Sequence, residues 1–254
     1  MDYVALGKSN LMVSRAAFGA QSLELVKDEE TVNALIKAAY DDGVNFYDTS
    51  NQSPESERRL GKALAAVRRD VYIATKTSAA NADELSAAVE SSLANLQTDY
   101  IDLYQLENPF CLPAKDGSDG LVERLMELKQ AGKIKHIGIV TESMEIALSM
   151  LVSDVPWESL QFPFNMLYGE ETENLTKEFY KSDIGFIAMR PLCGGIISNI
   201  PLALGYIRQF ENVVPIWGST NIEELQQILY FAKNPPNIDE KFNEECAEIR
   251  ARFN

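Results

Sequence analysis

The sequence predicts an α/β protein closed into a (β/α)8 barrel, or TIM barrel, with an N-terminal β-hairpin and an additional C-terminal helix. Three observations carry this reading. Eight short apolar, strand-like runs follow the opening residues, and each is followed by an amphipathic segment of helical length. No glycine-rich turn follows the first of these strands, as an open doubly wound sheet would normally show.

Tyr3–Leu6 and Leu11–Ser14, separated by Gly7-Lys8-Ser9-Asn10, read as the hairpin. The barrel strands are then expected at Ala16–Phe18, Asn45–Asp48, Val71–Lys76, Ile101–Leu106, Lys135–Val140, Leu160–Phe164, Gly185–Met189 and Val213–Trp217. Helices are expected at Glu29–Asp41, Ser56–Val67, Ala82–Leu96, Gly120–Gln130, Ser143–Leu151, Thr172–Lys181, Pro201–Gln209 and Ile222–Phe231. In Ala82–Leu96, Leu85, Val89, Leu93 and Leu96 recur at helical spacing and form one apolar stripe. Strands alternating with helices imply a parallel sheet, because the right-handed crossover is the common way to bring a strand back beside its predecessor. Asn234-Pro235-Pro236-Asn237 should stop the eighth helix, leaving Asp239–Phe253 as a further surface helix. No linker divides the chain, so residues 1–254 are read as a single domain.

Hydrophobic residues make up 46% of the chain and charged residues 24%, an ordinary globular balance. No apolar stretch reaches the roughly 18 residues of a membrane span, and the N-terminus lacks the basic and apolar segments of a secretory signal. A cytoplasmic protein is expected. With 38 acidic against 23 basic residues, its field should repel nucleic acid and anionic membranes; separately, a small-molecule substrate is the expected partner. The oligomeric state is not legible. Cys111, Cys193 and Cys246 are too far apart for a zinc or iron–sulfur pattern, and one histidine makes no metal site.

In barrels of this kind chemistry is built at the C-terminal ends of the strands. Asp48, Lys76 and Glu107 each close an apolar strand run there. Charged groups at such positions are costly to desolvate unless paired, so Asp48 and Lys76 are read either as a structural ion pair or as part of a site. Tyr47, next to Asp48 on a strand, should point to the opposite face. His136 begins a strand, at the wrong end for chemistry, and is read as structural.

Over nearly its whole length the chain resembles the aldo-keto reductases. Gly43-Val44-Asn45-Phe46-Tyr47-Asp48-Thr49-Ser50, with Ser56-Glu57 and Leu60-Gly61-Lys62-Ala63-Leu64, is similar to that family's second-strand signature. Ala74-Thr75-Lys76, Asp99–Leu106, Gly132–Gly138, Ala188–Gly195 and Pro215–Ser219 resemble later strands. The resemblance implies a carbonyl-reducing oxidoreductase that takes NADPH or NADH without a Rossmann domain, with Asp48 and Lys76 catalytic. The family's tyrosine and histidine fall at Ser53 and Glu107. A serine hydroxyl is a poor substitute for an activated phenol, so ordinary carbonyl reduction should be weakened. Steroid double-bond reductases of the family carry glutamate at the histidine position. A carboxylic acid kept protonated can donate a hydrogen bond to a developing enolate, which points to conjugated carbonyl or enone substrates. Lys76 favours the carboxylate instead, unless Asp48 has neutralised it. A catalytically inactive binding or regulatory protein, and a lyase or isomerase using Glu107 and Lys76, are the alternatives.

The resemblance also supplies a cofactor set. Gln161 matches the amide that holds the nicotinamide carboxamide, Val140-Thr141 replaces the family's serine and asparagine after strand five with the loss of one polar contact, and Met189 replaces an aromatic shelf. Arg190, Pro191, Leu192 and Gly194 match the strand-seven loop, and Gly218, Ser219, Thr220, Glu224 and Gln227 the turn and helix after strand eight. Basic residues that clamp the 2′-phosphate of NADP are missing around Thr220 and Glu224, so NAD is favoured over NADP, or no nucleotide binds.

Overall fold

Every barrel strand is buried on both faces, which is why the strand runs read as almost unbroken apolar stretches. A computed structural model, describing residues 1–253, places the strands at β3 (Ala17–Gly19), β4 (Phe46–Asp48), β5 (Tyr72–Thr77), β6 (Ile101–Glu107), β7 (Ile134–Val140), β8 (Ser159–Pro163), β9 (Gly185–Met189) and β10 (Val213–Trp217). They pair in parallel in chain order, and β10 closes on β3 to complete an eight-stranded barrel. Ahead of it β1 (Tyr3–Ala5) and β2 (Met12–Ser14) form the expected antiparallel hairpin.

Helices α1 (Glu29–Asp41), α2 (Pro54–Leu64), α3 (Ala82–Leu96), α4 (Leu121–Gln130), α5 (Met144–Met150), α6 (Glu170–Lys181), α7 (Ile200–Arg208) and α8 (Ile222–Lys233) follow the barrel strands in turn. The further helix, α9 (Glu240–Phe253), comes last. Local chemistry sets the helix starts: Asp28, Asn81, Ser143, Asn199 and Asn221 each accept a hydrogen bond from a first-turn amide through their side chains.

Boundaries differ from the sequence reading where side chains take over backbone roles. Asn45 is not a strand residue. Its amide accepts from Ser14 N at 2.7 Å and donates to Met12 O at 2.8 Å, tying the hairpin to the barrel. Helix α2 begins two residues early at Pro54, whose fixed φ suits a first turn, and ends at Leu64 rather than Val67. Residues Ala65–Asp70 tighten into a 3-10 turn, and the Arg68 guanidinium from this turn donates to Val71 O, Tyr100 O and Asp102 Oδ2. Helix α6 also starts two residues early, with Glu170, Glu171 and Glu173 opposite its positive end.

Two apolar layers result. The larger lies between barrel and helices and contains Tyr47, Ile73, Tyr104, Leu160 and Phe186. The smaller contains Ala17, Phe46, Ala74, Leu103, Ile187 and Val214, the alternate strand positions that face the barrel interior, together with Leu6, Leu11 and Val13 of the hairpin region. The hairpin therefore plugs the end of the barrel where the strands begin. Above this layer the interior turns polar, with Asp48, Lys76, Gln105, Glu107, Ser159 and Gln161 at successive inward positions.

Contact between α2 and α3 depends on Gly61, where a Cβ would lie 2.3 Å from the Leu96 carbonyl oxygen. Because the obstruction is backbone, Gly61→Ala should destabilise the protein by about 1–3 kcal/mol. The measurement is the denaturant midpoint, and an unchanged midpoint would show that the helices can part without cost.

Candidate functional site

The inward polar residues end at a cavity of about 360 Å³ at the C-terminal ends of the strands. Asp48, Lys76, Glu107, Gln161, Met189, Arg190 and Gly218 all line it, so seven of the residues singled out in the sequence meet there. At its centre Lys76 Nζ donates to Asp48 Oδ2 and to the Thr49 carbonyl, each at 2.7 Å. Both side chains are only 3% exposed, so neither charge could be kept there without the other. Strands β4 and β5 are neighbours in register, Asp48 beside Ala74, which sets the two residues within reach. The ammonium keeps one N–H and Asp48 keeps Oδ1 without a protein partner.

Burial pushes the Asp48 carboxyl up from its ordinary value, while the Lys76 ammonium and the Gln161 amide pull it back. Glu107, on β6 beyond Lys76, is also pushed up, chiefly by burial; Lys76 opposes the shift and Asp48 reinforces it. At Glu107 burial thus outweighs the ammonium, which Asp48 already holds. Glu107 Oε2 is buried without a hydrogen bond, as is Gln161 Oε1.

Other expected residues stand apart. Ser53 is buried at the start of α2, its amide bonded to Ser50 O and its carbonyl to Glu57 N, and it does not line the cavity. Thr141 is buried beside the cavity, its amide on Gln161 O and its hydroxyl accepting from Ser143 N. Pro191, Leu192 and Gly194 form the loop behind Arg190, in which Arg190, Cys193, Gly194 and Gly195 have left-handed backbone. For Arg190 and Cys193 that conformation is strained, a feature concentrated at ligand-binding loops. Ser219 is buried and bonds Glu224 Oε2 at 2.7 Å, while Thr220 and Gln227 are exposed. Tyr47 faces outward as expected, its hydroxyl donating to Val44 O. His136 sits at the start of β7, its Nδ1 2.7 Å from Glu158 Oε1.

The cavity also recruits Gly19, Gln21, Ser22, Asn108 and Glu142, which the sequence reading did not name, together with Val140 and Ile216 of strands it did. Several lie one to three residues past a strand end, and the rule that found Asp48 would have reached them if extended into the loops. Among the described residues no cluster of three or more His, Cys, Asp or Glu could hold a metal, and no helix is long and apolar enough to cross a membrane.

The family model for the aldo/keto reductases matches residues 16–201. The chain belongs to the aldo/keto reductase family. Aldo-keto reductase YhdN of Bacillus subtilis is 30% identical over 78% of this chain and 64% of its own length. L-galactose dehydrogenase of Arabidopsis thaliana is 31% identical over 77% of this chain and 66% of its own. The match thus spans just under two thirds of these relatives. In fold, the chain is similar to the holo form of aldo-keto reductase AKR11C1 from Bacillus halodurans, with a TM-score of 0.84 at 22% identity over 98% of this chain and 96% of that one.

A carboxyl whose folded-state pKa is raised costs stability only where the unfolded chain ionises first. Stability should therefore fall as pH rises from the ordinary carboxylate range near 4 toward the elevated value. Glu107→Gln removes that penalty, so the variant should be more stable than the parent at alkaline pH, with the difference closing below about pH 4. Thermal melts of both proteins across pH check this; a pH-independent difference would place Glu107 in an ordinary environment.

Proposed function

We propose that this chain is a nicotinamide-dependent oxidoreductase of the aldo/keto reductase family, acting on conjugated carbonyl substrates and favouring NAD over NADP. The observation that carries the reading is the convergence of a buried Lys76–Asp48 pair and a pKa-raised Glu107 on one cavity at the barrel mouth.

The residues present fit a nicotinamide. Gln161 offers a buried amide with an unpartnered oxygen, suited to a carboxamide, and Met189 offers a polarizable sulfur beside it in the lining. Gly218 presents exposed backbone at the rim before α8. Glu224, held at the start of that helix by Ser219, sets a negative charge where a 2′-phosphate clamp would need a positive one, and this supports NAD. When bound, the reduced nicotinamide supplies hydride.

The chain's own residues supply the rest. Glu107, whose pKa burial raises, is the acid of this reading: it donates a hydrogen bond to a carbonyl oxygen as negative charge gathers there, and it can pass its proton to the enolate. Lys76 holds positive charge next to that oxygen without competing for its proton, because its ammonium is fixed by Asp48 and Thr49. Ser53, away from the cavity, does not take over the role of the family's tyrosine. Simple ketones, which need a strong acid at the carbonyl carbon's own oxygen, should therefore be slow, whereas enones need only enolate stabilisation.

A binding protein without turnover is the second reading. It is favoured by the same withdrawal of Ser53 and by the engagement of two of the three Lys76 N–H groups within the protein. Titration calorimetry with NADH and NADPH tests cofactor use, with tighter NADH binding expected. No heat with either at millimolar concentration would refute the nicotinamide reading. On a panel of ketones and enones, the enones should turn over preferentially, and Glu107→Gln should lower that rate by about 10²–10⁴-fold. Cofactor binding with no turnover of any substrate would establish the second reading.

A further inference from the structure

Two cations line the cavity, and carboxylates of this chain already hold both. Lys76 is committed to Asp48 deep inside. Arg190, at the rim, is gripped by Glu142: Arg190 Nη2 lies 2.5 Å from Glu142 Oε1 and Nη1 lies 3.1 Å from Oε2. Glu142 follows β7 and Arg190 follows β9, so the pair spans the end of β8, the strand that carries Gln161. The Arg190 backbone is anchored from behind, since its carbonyl accepts from Asn165 Nδ2 at 2.8 Å and from Cys193 N at 2.9 Å. The side chains, by contrast, are 54% and 47% exposed, so the pair can open into water.

We propose that Glu142 is a specificity-determining residue that competes with the diphosphate of a dinucleotide for Arg190 and so sets the affinity of the cavity for anionic ligands. This rests on the nicotinamide reading of the same cavity. A carboxylate and a phosphate accept the same two-pronged hydrogen bonds from a guanidinium, so one can replace the other on Arg190. An anion entering the cavity otherwise meets Glu107, Glu142 and a lysine that is 3% exposed and already occupied. Arg190 is the cation within its reach, and a diphosphate that takes the two-pronged face now held by Glu142 releases that carboxylate to solvent. A half-exposed ion pair is weak, so the competition should lower affinity by about three- to fivefold.

The test is calorimetry with NADH and, separately, with inorganic pyrophosphate, on the unsubstituted protein and on Glu142→Gln, Glu142→Asp, Arg190→Ala and the Glu142→Gln/Arg190→Ala double variant. Glu142→Gln should tighten both ligands about three- to fivefold, Glu142→Asp should restore the parent affinity, and Glu142→Gln should have no effect once Arg190 is gone. Unchanged affinities in Glu142→Gln, or equal tightening without Arg190, would overturn the inference; NADH binding by the unsubstituted protein would still uphold the nicotinamide reading. If NADH gives no heat with any variant, that reading falls, and the pyrophosphate series alone decides the role of Glu142.

Discussion

An ammonium and a carboxylate enclosed together at the mouth of a barrel constrain everything around them. Removing either ion from water costs several kcal/mol, and the cost is recovered only with close contact and further hydrogen bonds. Lys76 meets the requirement through Asp48 on the neighbouring strand and the Thr49 carbonyl just beyond it. The arrangement is possible because β4 and β5 run parallel in a register that brings their C-terminal ends together. Its consequence reaches Glu107: with Lys76 already held, burial outweighs the nearby positive charge, and the carboxyl shifts toward its protonated form. The ion pair thus bears on the acidity of the third residue as well as on its own charges.

Architecture was legible because alternation of strand and helix leaves few topologies, and the parallel barrel buries both faces of every strand. The strand-end rule then found Asp48, Lys76 and Glu107 without coordinates, since strand ends can be counted along the chain, while Gln161 and Met189 came from the family resemblance. Loop geometry could not be counted in this way. Whether Ser53 enters the cavity depends on the turn into α2, where its backbone rather than its hydroxyl makes the local bonds. Glu142 went unnoticed because its importance lies in Arg190, forty-eight positions later. Similarly, Asn45 reads as a strand residue until its side chain is seen pairing with β2. Backbone periodicity reports which way a side chain points, and it is silent on the partner.

The two ends of the barrel show opposite treatments of buried polarity. Where the strands begin, charged groups are fully engaged: Asp102 with Arg68 and the Ile73 amide, and Glu158 with Lys129, His136 and the Ile137 amide. That end is also sealed by Leu6, and a Cβ at Gly185 would come within 2.5 Å of the Leu6 side chain, so no space is left there. Where the strands finish, Asp48 Oδ1, Glu107 Oε2 and Gln161 Oε1 are buried with no partner, and Gln105 and Ser159 lie unpaired one layer below. Leaving a buried polar atom unpaired costs about 1–3 kcal/mol, and five residues that bear this cost are gathered toward this end. The unpaired atoms face the cavity or sit directly beneath it. A ligand with matching donors recovers at binding what folding left unmet, and the acceptors waiting there, on two carboxyls and an amide, call for a ligand that brings hydrogen-bond donors.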